Sequence, residues 1–299
     1  MALVPFNELM TAAERGQYAV GYFESWNLES LLAVADAAEA VRSPVILGFS
    51  GIYLPHPERS VEDPLSVYAA MGLDICRRLA VPACLLFNES PHFDQVLEAI
   101  ELGYNVVMFT DENLSFGEQV TQVRQVVAKA HRVGVAVEGE VTALAGVAGE
   151  LSAIPDDLRL TDPELARSFV AQTGVDALAV NVGQVHLHGW QAVHLNLEQL
   201  IALKKVVSVP LVLHGATSVH RADLVEAVRL GVRKINVGSV LKRTYFEAMR
   251  QACVAASEAY NPYEVIGSGL PTDVLTVGRL AMQQVVEVLM RLFGSAGRI

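Results

Sequence analysis

The chain has 299 residues, 52% of them hydrophobic and 18% charged, with a formal net charge of −11. Such a composition buries a sizeable core and excludes disorder, and an acidic chain without a Lys/Arg run is a poor partner for nucleic acid or an anionic membrane. No apolar run reaches the roughly 18–20 residues that span a bilayer, and the opening "MALVPFNELMTAAERGQ" lacks the basic start of a signal peptide. Three scattered cysteines, Cys76, Cys84 and Cys253, suit a reducing cytoplasm.

In chain order, β-rich runs alternate with stretches of helical spacing. "YAVGYF" (18–23) precedes "NLESLLAVADAAEAV", "SPVILGFS" (43–50) precedes "PLSVYAAMGLDICRRLA", and "VPACLLF" (81–87) precedes "FDQVLEAIELG". "NVVMFT" (105–110) leads into "FGEQVTQVRQVVAKAHRVG", "GVAVEGEV" (134–141) into "DPELARSFVAQTG", and "DALAVNV" (176–182) into "NLEQLIALKKV". "VPLVLH" (209–214) and "HRADLVEAVRLG" make the seventh unit, "RKINV" (233–237) and "LKRTYFEAMRQACVAA" the eighth. Nearly continuous apolar strands between helices indicate a parallel sheet covered by helices. Eight such units predict an α/β fold, a closed TIM (β/α)8 barrel spanning 1–299 as one domain. A helical extension follows at about 262–299. Its helix "VLTVGRLAMQQVVEVLMRLFG" has no place in a complete barrel and is expected on the outside or on another subunit.

Sites in such barrels form at the C-terminal strand ends. The polar residues there are Glu24 and Ser25, Ser50, Asn88 and Glu89, Thr110 with Asp111 and Glu112, Glu138 and Glu140. Asn181 with His186 and His188, then His214, and finally Asn236 and Ser239 complete the set. "VNVGQVHLHGW" and "VPLVLHGATSV" put histidines on two neighbouring loops. One such histidine would ordinarily be a loop hydrogen-bonder; three together favour ligation of a divalent transition metal, with Glu89 able to add an oxygen. "HGATS" and "INVGS" have the small residues and hydroxyls of a phosphate cradle at loops 7 and 8. The small-residue loop "TALAGVAGELSAIPDDLRL" (142–160) is expected to be an active-site flap. His56 and His92, on loops 2 and 3, are further candidates to face the site.

With "YAVGYFESWNLE", "SPVILGFSG", "VAVEGEV", "LVLHGATSV", "KINVGSVLK" and the ending "LFGSAGR" in this order, nearly the whole chain resembles the class II, metal-dependent ketose-bisphosphate aldolases. The resemblance implies zinc as the divalent cofactor, with a monovalent cation as a further candidate. It also implies an enediolate of dihydroxyacetone phosphate (DHAP), a sugar phosphate as ligand, and a homodimer or homotetramer. It places metal ligands at His214 and at His186 or His188, and phosphate contacts at Gly215, Thr217, Asn236 and Ser239. Lys242 would reach the far end of the substrate, and Glu140 matches the second acid of an E-x-E element.

The departures from that pattern matter more. The family has Asp-His at the end of strand 3, the acid/base and the first metal ligand; this chain has Asn88-Glu89. Asn88 cannot exchange a proton and can only orient a ligand. Glu89 has two open roles, a replacement metal ligand or the base itself. Glu24 stands where the family has Asn, and Thr110 where it has Asp. New carboxylates at strand ends indicate a remodelled site, with Asn88, Glu89, Glu24 and Glu140 as its catalytic candidates. The expected activity is that of a metal-dependent aldolase acting on a ketose phosphate. Alternatives are an epimerase of similar chemistry, or a silent paralogue that binds a sugar phosphate.

Overall fold

The computed structural model describes residues 2–54, 56–146, 158–186, 192–256 and 258–299. Its eight strands are β1 (Val20–Ser25), β2 (Val45–Ser50), β3 (Ala83–Ser90), β4 (Val106–Phe109), β5 (Ala136–Glu140), β6 (Ala177–Ala179), β7 (Leu211–Leu213) and β8 (Val232–Val237). They close in sequence order into a barrel of parallel strands, sealed by β1 on β8 with Val20 opposite Lys234 and Tyr22 opposite Asn236. The expected (β/α)8 architecture is therefore present, with β6 and β7 shorter than their apolar runs.

Two-residue periodicity sorts the side chains. Phe23, Leu47, Leu85, Val107, Val137 and Leu213 point outward into the large core beneath the helices. Val20, Ile46, Cys84, Val106, Ala136 and Val212 point inward, where they form a second core. Helix α1 (Phe6–Gly16) closes the lower end of that inner core, a helix that the reading of the sequence did not find. Phe6, Leu9, Met10 and Ala13, spaced as one helical face, insert among the inward residues. Arg233, pointing out from β8, pairs with Glu14 of α1 and holds the plug in place.

The covering helices are α2 (Leu28–Val41), α3 (Leu65–Arg78), α4 (Phe93–Glu101), α5 (Phe116–Ala130), α6 (Pro163–Thr173), α7 (Leu197–Val206), α8 (Arg221–Arg229) and α9 (Ser239–Ala255). Short α10 (Pro262–Val265) leads to α11 (Val274–Leu292). That last helix packs on its own barrel, between α2 and α9 and against β1. Met282, Val286, Met290 and Phe293 are fully buried there, and Arg279 reaches Asp36 of α2 at 2.9 Å. The apolar face left over by the eight-unit count therefore has a partner within the chain.

Candidate active site

At the top of the barrel the inward phase turns polar. Glu24, Ser50, Asn88, His214 and Asn236 follow the apolar inward residues of their strands and, with Tyr22, Glu89 and His186, line a cavity of about 270 Å3. Glu89 breaks the alternation. Between β3 and β4 the register runs Phe87 opposite Val107 and then Ser90 opposite Phe109, so β3 carries one extra residue. This bulge turns two consecutive side chains, Asn88 and Glu89, toward the mouth. Glu89 sits at φ 51°, in the left-handed region. Among the described residues the other non-glycine residues there, Gln17 and Arg42, are helix C-caps. For Glu89 this conformation costs about 1–3 kcal/mol.

Beneath the cavity the polar side chains form a closed circuit. Lys234, fully buried, lies 2.8 Å from Glu138 Oε2, and Glu138 Oε1 is 2.7 Å from His214 Nε2. His214 Nδ1 lies 3.0 Å from Glu89 Oε1, and Asn88 Nδ2 donates to Glu89 Oε2 at 2.6 Å. Asn236 Nδ2 donates to Asn88 Oδ1 at 3.3 Å, and Lys234 donates to Asn236 Oδ1, closing the ring. Two carboxylates thus face two cationic side chains. Burial alone would raise the Glu89 carboxyl, but the charge and hydrogen bond of His214, helped by His186 and Lys234, hold it at about 2. Burial likewise opposes ionisation of Glu138 and is outweighed by Lys234 and His214, so its pKa is lowered. For His214 burial disfavours the charge, yet the two carboxylates raise it to about 10.

The donors have the chemistry of a metal site built from two imidazoles and one carboxylate. His214 turns Nε2 to the Glu138 carboxylate, the outer contact that orients a ligating imidazole, and leaves Nδ1 facing Glu89. His186 Nε2 lies 3.9 Å from the same Glu89 oxygen. Ligand edges around a tetrahedral zinc measure about 3.3 Å, and the two separations fall on either side of that value. Among the described residues no group of three or more His, Cys, Asp or Glu is close enough together to hold a metal ion as it stands; with His214 already 3.0 Å from Glu89, His186 would have to move closer for these three to share one. His188 lies outside the described residues.

Gly215, Thr217 and Ser239 of loops 7 and 8 line the same cavity. Gly215, at φ 64°, starts a 3-10 turn (Ala216–Ser218), and Thr217 Oγ1 accepts the Val240 N–H at 3.3 Å. Ser239 opens α9, and Lys242 and Arg243 near its N-terminal end also line the cavity. Lys242 Nζ pairs with Glu24 Oε1 at 2.6 Å and lies 4.0 Å from the Tyr53 ring centroid. Asn236, expected to contact phosphate, has both ends of its amide engaged by Lys234 and Asn88.

Other candidates fall elsewhere. Glu140 is buried and accepts a hydrogen bond from Thr110 at 3.2 Å. It faces a second cavity with Asp111, Glu112 and Asn181, and His186 is tied to the intervening loop through its N–H to the Ala145 carbonyl. Burial, reinforced by the charges of Glu89 and Glu138, lifts the Glu140 carboxyl to about 8. His92 precedes α4 as its N-cap residue, and neither it nor His56 lines the cavity. Ser25 faces away from the barrel interior. The flap loop lies mostly in 147–157, outside the described residues. Reading the sequence missed Lys234 and Tyr22. The available signal was a lysine and a tyrosine on the inward phase of strands, where a charge must find a buried partner.

The sequence profile of the family described as fructose-bisphosphate aldolase class-II matches residues 4–298, and the chain belongs to that family. In structure it is similar to the YdjI aldolase from Escherichia coli K12, at 26% identity and TM-score 0.81, over 99% of both chains. It is also similar to a putative fructose-1,6-biphosphate aldolase from Coccidioides immitis, at 26% identity and TM-score 0.76, over 98% of this chain and 96% of that one. A fructose-bisphosphate aldolase from Campylobacter jejuni shares the fold at 19% identity and TM-score 0.80, over 100% of this chain and 97% of that one.

Proposed function

We propose that this family member is a metal-dependent lyase that makes or breaks a carbon–carbon bond in a ketose phosphate, with DHAP as the nucleophilic half. The observation that carries the reading is the convergence of Glu89, His214 and His186 beside the loop 7–8 cradle. A divalent cation held by those three would supply Lewis acidity at the ketose carbonyl, where negative charge develops.

The chain's own residues divide the remaining work. Glu138, held by Lys234, keeps the His214 ring oriented. Asn88 steadies the second oxygen of Glu89, which leaves that carboxylate a ligand and not a base. Glu24 is then the carboxylate in this cavity placed to carry a proton to or from the substrate hydroxyl. Gly215, Thr217, Ser239 and Arg243 receive the phosphate, and Lys242, expected from the resemblance at the far end of the substrate, is assigned to it as well because it lines the same cavity. Self-association into a dimer or tetramer is part of the reading, supported by exposed Phe246, Tyr263 and Ile266 on and beside α9 and α10. Light scattering tests it.

Exchange of solvent deuterium into the hydroxymethyl group of DHAP tests the chemistry without knowledge of the aldehyde. Zinc-loaded protein in D2O should exchange one proton stereospecifically, followed by NMR. Protein carrying stoichiometric zinc that exchanges none would exclude the reading. Release of DHAP from ketose phosphates then separates cleavage from epimerisation.

A further inference from the structure

The Glu24 carboxylate lies where the cradle should receive an anion. Its Oε2 rests against Gly238, the N-cap residue of α9, and a methyl group at that glycine would collide with it. Its Oε1 holds Lys242, a cation lining the cradle. Helix N-termini and lysines attract carboxylates for the same reasons that they attract phosphate. Tyr53, whose ring lies 4.0 Å from the Lys242 ammonium, gives the lysine a second partner independent of Glu24.

We infer that the Glu24–Lys242 ion pair is a latch opened by the substrate: the phosphate dianion takes over Lys242 and the first turn of α9 and releases the Glu24 carboxylate to act on the reacting hydroxyl. The inference rests on the proposed ketose-phosphate reading and adds a specificity role to Glu24. The latch works by charge. A dianion outcompetes a monoanionic carboxylate for the same ammonium and the space beside Gly238, whereas a neutral sugar does not. The carboxylate is therefore tied to a cation until a phosphorylated ligand arrives. Phosphate affinity is the cost, because each phosphate must displace an anion that the chain itself supplies.

Two probes separate this latch from a static ion pair. Inorganic phosphate and DHAP are titrated calorimetrically into zinc-loaded wild type, Glu24→Gln and Lys242→Met, all retaining the full chain. Glu24→Gln keeps the side-chain shape and removes the competing charge. It should bind both ligands about tenfold more tightly than wild type, while deuterium exchange into DHAP falls at least as far. Lys242→Met should bind both more weakly. Equal or weaker phosphate binding by Glu24→Gln overturns the latch. The underlying reading fails separately, through wild type that binds phosphate but catalyses no exchange. Tighter phosphate binding by Glu24→Gln would support the latch even then.

Discussion

Replacing Lys234 by Met removes a buried ammonium and keeps the length of the side chain. In the wild type Nζ lies 2.8 Å from Glu138 Oε2, and neither side chain is exposed to solvent. At an effective dielectric constant near 20, two charges at that separation attract by about 6 kcal/mol. Much of this offsets the cost of burying them, so the net value of the pair is small. Breaking it from one side is different, because Glu138 stays buried with half its compensation gone. His214, 2.7 Å from the other Glu138 oxygen, still partners the carboxylate. The expected loss is therefore at the lower end of the usual range, about 3 kcal/mol, a large part of the 5–15 kcal/mol typical of folded domains. Urea unfolding at pH 7, followed by circular dichroism, measures it. Combining Lys234→Met with Glu138→Gln should cost about 2 kcal/mol less than the sum of the single variants, since no orphaned charge remains. A Lys234→Met loss below about 1 kcal/mol, or additivity within about 0.5 kcal/mol, would refute the argument that these charges depend on each other.

Glu140 makes stability depend on pH. Its folded pKa of about 8 lies above the ordinary 4.5, so between these values the native state keeps a proton that the unfolded chain releases. The unfolded state then binds fewer protons, and stability falls as pH rises through this window by at most about 5 kcal/mol. Glu140→Gln lacks the titration and should be more stable than wild type at pH 9 but not at pH 5; parallel melting temperatures across the series would contradict this. Phe293, buried and stacked on Phe23 with ring centroids 6.4 Å apart, anchors the end of α11. Phe293→Ala should cost about 3–5 kcal/mol in a denaturation experiment, and a loss under about 1 kcal/mol would mean that this helix is dispensable.

The barrel was legible because its strands are nearly continuous apolar runs and every one precedes an amphipathic stretch. The inward phase followed from the same pattern, which is why Glu24, Asn88, His214 and Asn236 were found together. Four features escaped, each for a physical reason. A bulge leaves no trace in a two-residue period, so the inward turn of Glu89 beside Asn88 was not predictable from alternation. Strand ends identify a rim but not which cavity on that rim a side chain enters, so Glu140 and Asp111 were grouped with residues across an intervening loop. Lys234 in "RKINV" lies below the strand end and so falls outside the rim candidates, although an inward lysine requires the buried carboxylate that Glu138 supplies. Helix α1 was missed because its apolar face, Phe6 to Ala13, precedes the first strand and has no place in a strand–helix count.

Competitive metal titration tests the central claim, that Glu89 has replaced a histidine in a working metal site. Zinc affinity is measured against a chromophoric chelator for wild type, Glu89→Gln and His214→Ala between pH 6 and 8. The account predicts one tightly bound zinc per wild-type chain. Affinity should rise about tenfold per pH unit, because zinc displaces the proton that the flanking carboxylates hold on His214, its pKa raised to about 10. Both variants should lose at least about a hundredfold in affinity. Zinc bound equally well by Glu89→Gln would remove Glu89 from the ligand set and contradict the account.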